Sequence, residues 1–463
     1  MESLDNFKKY FNEDFWRAFR NKQIFVDLPK TNKEKDVVIA QIYKSIIDKT
    51  YYPSTPRLYI NRNKGHNVTR IVPVFHLKDY CIYYYCIKIL ERKIAYNRIP
   101  NTFGGWTLGG LIRKSEDDEM IKRKEDFDRN ENFLAEVGGI SVTEFSFNPQ
   151  AWSIAYGDLN SKLYASAKEK KFNYVTELDI ANYYDSVRLD ILEERIREAF
   201  NVKYTDIISL LFHFLNYWNR KVNGYNKQTV GIPQDAMGDC SRILANFYLQ
   251  PYDKFLFDLC EKHHGKYLRY ADDQFIFAES EKTLSLLIFK ASEKLNCLGL
   301  SINQNKVRIS QVNELIHSRS FKAFDLLKNR DDKKNKNKVE KFVDHYLKIL
   351  DAKGLDNIKD KGTPLLNKAL FCPALAKIDI AKKTKILGCY LDDGYLENIK
   401  SRNFEKIYRL LSKKERLKFI NKLDKLSKKL VHNAFHYEVL YFYSRYKIKT
   451  EQIKNRIRKL ESI

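Results

Sequence analysis

The stretch KYLRYADDQFIFA, Lys266–Ala278, decides how this chain is read. Apolar residues alternate around Tyr270-Ala271-Asp272-Asp273, with Leu268 before the pair and Phe275 and Phe277 after it. The spacing predicts a β-hairpin whose turn holds two adjacent aspartates. Neighbouring carboxylates at a hairpin tip repel each other, and they are stable as a dianion where cations neutralise them. Hard oxygen donors on a tight turn suit Mg²⁺, which also accepts the phosphate oxygens of a substrate. Acidic turns are common on protein surfaces, so the pair needs context before it implies a function.

The context lies upstream. YVTELDIANYYDSV, Tyr174–Val187, reads as a strand ending at Asp179, followed by a helix whose apolar positions include Leu189, Leu192 and Ile196. Asp179, Asp272 and Asp273 together make a donor set for two Mg²⁺ about 3.5–4 Å apart, one at a 3′-hydroxyl nucleophile and one on an incoming triphosphate. Between these carboxylates, GIPQDAMGDCSRILANFYLQPYD (Gly231–Asp253) is a Gly/Pro turn feeding an amphipathic helix suited to line a base-pair pocket.

Composition agrees with a phosphate-bearing partner. The 463 residues include 83 Lys and Arg against 59 Asp and Glu, a net charge of +24. Of this, +18 falls in 313–463, where 37 basic side chains stand against 19 acidic ones. With 30 Tyr and 29 Phe available, such a chain suits a partner made of phosphates and stackable bases, although charge alone fits a lysine bias equally well. A hydrophobic share of 44% excludes a disordered chain, and the low Gly and Pro content excludes a fibre. The apolar stretches Tyr80–Leu90 and Ile207–Trp218 fall short of the roughly 20 residues that span a bilayer and read as buried helices. The N-terminal MESLDNFKKYFNEDF lacks the apolar run of a signal peptide. Seven cysteines with no two-residue-spaced pair signal neither a disulfide framework nor a zinc site, so a cytoplasmic protein without membrane contact is expected.

Along the chain, helices lead to a basic hairpin at Arg57–Pro73, then an apolar helix, a Gly-rich stretch at Asn101–Gly110 and a charged, exposed helix at 113–132. Strand and helix periods alternate from Asn173 to about Ser310, and the pattern is helical beyond Asn313. The expected divisions are 1–172, 173–312 and 313–463.

In this order the blocks resemble the motifs of the reverse transcriptases. Asp179–Asp185 is similar to the first palm motif, Gly231–Leu249 to the second, and Tyr270–Asp273 to the X-Asp-Asp box; the fourth appears as Leu295-x-x-x-Gly299-Leu300-Ser301-Ile302-Asn303-x-x-Lys306. The resemblance implies an α+β right-hand polymerase fold, with fingers and palm followed by an all-helical, thumb-like C-terminal domain. It implies an RNA-directed DNA polymerase that uses two Mg²⁺, with Mn²⁺ as a substitute, held by Asp179, Ile180, Asp272 and Asp273. It assigns Arg70 in NVTRIVP to nucleotide phosphate, with Lys64 or Arg62 as helpers, places Lys306 near the triphosphate, and gives Gln234 to the nucleotide site. Tyr184, five residues after Asp179, takes the position of the aromatic that blocks a ribose 2′-hydroxyl, and so implies deoxynucleotides.

The second motif departs from the family pattern. Asp235 stands where Gly is common, and Ser241 comes about two residues late. Ser241-Arg242-Ile243-Leu244-Ala245 looks most like the bacterial defence-associated reverse transcriptases of the abortive-infection and related groups. That likeness implies antiphage defence, a noncoding RNA template or a protein-primed DNA product, and a homo-oligomer or a partner defence protein. A retron-type enzyme is the alternative, but Asn433-Ala434-Phe435-His436, which matches the retron NAxxH signature, follows the palm motifs instead of preceding them. A catalytically idle RNA-binding scaffold is the rival from another class; three retained carboxylates and Lys306 argue against it. The His432/His436 pair lacks a third zinc ligand at suitable spacing and reads as helix packing. KNRDDKKNKNK, Lys328–Lys338, reads as a surface loop. Tyr437, Tyr441, Tyr443 and Tyr446 read chiefly as packing residues, with a priming hydroxyl as a minor alternative.

Overall fold

In a strand successive side chains point to opposite faces, so the runs YVTEL and DQFIFA, apolar on both faces, belong at the centre of a covered sheet. The computed structural model describes residues 2–22, 28–64, 68–96, 98–109, 145–147, 151–219, 231–234, 239–318, 321–327, 336–353 and 359–461. The charged segment 113–132, Asp235 and most of Lys328–Lys338 lie outside them. Two compact units emerge, one formed by Met1–Tyr59 with Val72–Leu315 and the other by Ile60–Ile71 with Ile316–Ile463.

The described strands are β1 (Leu58–Asn63), β2 (Thr69–Val74), β3 (Thr102–Phe103), β4 (Tyr174–Leu178), β5 (Lys266–Tyr270), β6 (Asp273–Ala278) and β7 (Arg308–Gln311). β1 and β2 are the expected basic hairpin, while the other five form one sheet in the order β3-β5-β6-β4-β7. β4, β5, β6 and β7 pair antiparallel, and β3 joins the edge parallel to β5. Val175 and Leu178 on β4 and Phe275, Ile276 and Phe277 on β6 are buried, as the apolar runs require.

Helices cover this sheet. In Glu281–Asn296, Leu284, Leu287, Ala291 and Leu295 repeat at helical spacing and are all buried, and the Ser280 side chain caps the start by accepting from the Thr283 N–H at 3.2 Å. Helix Asp239–Lys262 contains Pro251, which has no N–H to give the carbonyl of Phe247. Arg195 supplies the missing donor, since its Nη1 reaches the carbonyl oxygens of Phe247 at 3.1 Å and Tyr248 at 2.6 Å. Helix Leu77–Tyr96 is apolar around most of its circumference and is accordingly enclosed, with Cys81 through Ile87 all buried. Thr205–Tyr217 packs beside it, and both apolar stretches are thus core helices. No helix among the described residues is long and apolar enough to cross a membrane.

The second unit is helical apart from the hairpin tip. Its core gathers Phe404, Phe419, Phe435 and Phe442, with ring centroids 6.0 to 6.3 Å apart between Phe404 and the other three. The hairpin tip is fastened to the start of helix Asn433–Arg445, where the Asn61 N–H donates to Asn433 Oδ1 at 2.6 Å and Thr69 Oγ1 lies 3.2 Å from His432 Nε2. His436 is enclosed between the carbonyls of His432 and Ser427, at 3.0 and 2.8 Å, which is a packing arrangement.

Candidate active site

Asp179 is the first residue beyond β4. The next stretch lies against 301–303: Ile180 bridges Ile302, the Asn303 N–H donates to the Asp179 carbonyl at 2.7 Å, and the Ala181 N–H donates to the Ser301 carbonyl at 2.9 Å. This backbone clamp fixes where the Asp179 side chain emerges. Its carboxylate accepts from Lys306 Nζ at 3.0 Å and from Asn303 Nδ2 at 3.1 Å. The Asp179 side chain is 10% exposed and that of Lys306 is 61% exposed, so the lysine reaches a largely buried acid from solvent.

The aspartate pair sits one strand away. Tyr270 and Asp273 are the last partners of β5 and β6, leaving Ala271 and Asp272 as the turn. In the β4–β6 ladder Leu178 faces Gln274, so Asp179 and Asp273 are the next residues along the two chains beyond that pair. Ala271 has φ +54°, a left-handed conformation that costs an alanine more than a glycine. The turn is held from below. Arg269, completely buried, donates from Nη1 to the Ala271 carbonyl at 2.7 Å and grips Asp253 through Nε at 2.7 Å and Nη2 at 2.6 Å. Burial works against the Arg269 charge, yet the Asp253 carboxylate more than offsets it and holds the guanidinium above its ordinary value. The Tyr270 ring meets Tyr156 edge-on at 5.2 Å and packs against Gly104, where a Cβ would come within 2.7 Å of the ring.

Tyr184 follows a left-handed Asn182 (φ 44°) in the short helix Tyr183–Ser186 and is half-buried. Its carbonyl accepts from the Ile232 N–H at 2.9 Å, which draws the start of the second motif onto it. Gln234 is half-buried at the end of that loop. Ser241, which falls late in the motif, ties the loop to the next helix: its Oγ donates to the Pro233 carbonyl at 2.6 Å and lies 2.8 Å from the Tyr83 hydroxyl. Arg70 and Lys64 are exposed on the hairpin tip, which belongs to the other unit, where Arg62 is half-buried and its guanidinium is pushed down by burial.

Asp179, Asp272 and Asp273 carry hard oxygens, the chemical type of donor that Mg²⁺ or Mn²⁺ takes. Among the described residues no three His, Cys, Asp or Glu side chains stand closed around a metal-sized space. The Asp179 carboxylate has the Lys306 ammonium as its counter-charge. Sequence reasoning missed Asn303 and the Arg269–Asp253–Asn246 cluster. A signal was present, because Asn246, Gln250 and Asp253 recur at helical spacing along an otherwise apolar, buried helix.

A family described as "Reverse transcriptase (RNA-dependent DNA polymerase)" matches residues 143–413. No curated protein sequence matches the chain. Among solved structures, telomerase from Candida albicans in complex with a TWJ fragment of telomeric RNA is similar over 59% of this chain and 50% of its own, at 12% identity and a TM-score of 0.29. Apo telomerase from Candida tropicalis is similar over 85% of this chain and 71% of its own, at 13% identity and a TM-score of 0.34. The chain thus spans about half the length of the C. albicans telomerase it matches.

Proposed function

Given that the chain belongs to the reverse transcriptase (RNA-dependent DNA polymerase) family, we propose that it synthesises DNA from deoxynucleoside triphosphates with Asp179, Asp272 and Asp273. The observation that supports this most is the β4–β6 register, which brings the end of β4, where Asp179 follows, beside the β6 end that carries the Asp272–Asp273 turn. Asp179, Asp272, Asp273 and the Ile180 carbonyl would hold Mg²⁺, which when bound supplies an activated 3′-hydroxyl and a counter-charge for the triphosphate. Lys306, within 3.0 Å of Asp179 and mostly solvated, is suited to move onto phosphate oxygens. Tyr184, pinned through its backbone to Ile232, would set its ring against the sugar and exclude a 2′-hydroxyl, and Gln234 would line the nucleotide pocket. Arg70 and Lys64 offer exposed cations for phosphate contact.

We assign 1–172 to N-terminal helices and fingers, 173–312 to the palm and 313–463 to a thumb-like, nucleic-acid-gripping domain. The Ser241–Ala245 block supports a role in bacterial antiphage defence, with synthesis either copied from a noncoding RNA or primed from protein. Replacing Asp272 and Asp273 by Ala is expected to reduce Mg²⁺-dependent dNTP incorporation to background while the circular-dichroism melting curve is kept. Retained synthesis by that folded variant would refute the assignment. A wild-type chain that binds RNA without incorporating any nucleotide would instead be a scaffold.

A further inference from the structure

The buried fork beneath the aspartate turn does more than close an ion pair. Asp253 occupies Nε and Nη2 of Arg269, and the remaining nitrogen, Nη1, donates both to Asn246 Oδ1 and to the Ala271 carbonyl, each at 2.7 Å. Asn246 in turn donates from Nδ2 to the Gly104 carbonyl, and the Tyr267 hydroxyl donates to Asp253 at 2.8 Å. Arg269 and Asp253 have no solvent exposure and Asn246 has 1%, so the guanidinium has a single seat. Its remaining bond goes to the centre of the turn, because the Ala271 carbonyl belongs to the peptide between the two turn residues.

Two-residue hairpins use two turn types that differ by a flip of that central peptide. One needs positive φ at both central residues and the other only at the first. Here Ala271 has positive φ and Asp272 does not. A flip would swing the Asp272 backbone to the opposite sign of φ and carry its side chain with it. We propose that Arg269, seated by Asp253 and Asn246, is a positioning residue that selects the turn in which Asp272 and Asp273 present their carboxylates to a divalent metal. This inference rests on the metal-binding reading of the site given above.

The test is direct Mn²⁺ binding to the full chain, read by electron paramagnetic resonance. A lysine at 269 keeps a charge for Asp253, but one ammonium cannot reproduce the fork and also reach the turn carbonyl. Arg269→Lys is expected to weaken Mn²⁺ binding about tenfold or more, as losses of residues that orient metal ligands do. Adding Ala271→Gly, which adopts the first position of the observed turn without steric cost, is expected to restore most of that loss. Should Arg269→Lys fail to fold, Asn246→Ala, which unseats Nη1, is expected to show the same loss and the same recovery. A folded variant that binds Mn²⁺ like the wild type, or one whose loss Ala271→Gly does not recover, would reduce Arg269 to a packing residue. If the wild type and Asp272→Ala/Asp273→Ala bind Mn²⁺ equally, the metal reading fails first and takes this inference with it.

Discussion

Gly231 leaves no space for a methyl group. A Cβ there would lie 1.9 Å from the Tyr184 carbonyl oxygen and 2.7 Å from the Asp185 carbonyl carbon, both backbone atoms that no rotamer change can move aside. Gly231→Ala is therefore expected to push Ile232–Gln234 away from Tyr184. The cost is about 1–3 kcal/mol of stability in urea unfolding, with a raised KM for dNTPs measured in steady state. An unchanged KM in a destabilised variant would separate the loop from nucleotide binding. Residues of this kind differ in how visible they are in a sequence. Asp272 and Asp273 stand out because a dianion on a tight turn is chemically odd. Asn303 and Arg269 do not, because an amide or a guanidinium acquires its role only from the acceptor that folding brings within 3 Å, such as Asp179 Oδ2 or the Ala271 carbonyl.

Among elements, the helix Asp239–Lys262 shows how an internal proline is accommodated. Pro251 orphans a carbonyl, and Arg195, stacked 5.0 Å over the Phe247 ring, donates to it and to its neighbour. Arg195→Met keeps most of the packing stem and removes both donors. It is expected to cost about 1–3 kcal/mol in chemical denaturation, the penalty for buried carbonyls without a partner, and a loss within error of zero would mean that water replaces the guanidinium. Strand alternation, the basic hairpin and the two apolar helices were all legible, since each leaves a period in the chain. The docking of the hairpin tip was not. Asn61 and Thr69 meet Asn433 and His432 more than 360 positions away, and polar pairing over that distance leaves no periodic trace.

For the whole molecule, charge is the dominant long-range property. If the chain takes RNA as proposed, a net +24 concentrated beyond residue 313 predicts that counter-ion release drives much of that binding. For a single strand each phosphate contact contributes about −0.7 to the slope of log affinity against log salt, so a clearly negative slope is expected in fluorescence anisotropy between about 50 and 200 mM salt. A flat dependence would place the positive field outside the binding surface. The path of the chain has a separate consequence, for inheritance and engineering. It leaves the first unit at Ile60, returns at Val72 and departs again at Ile316, so no single cut yields both pieces whole. A recombination event or a cloning boundary that transfers only the last third as a cassette leaves behind the strand tips that seat Asn433 and His432. Chimeras of this protein will need three crossovers, and on the ribosome the strand tips at 60–71 must wait for helices made hundreds of residues later.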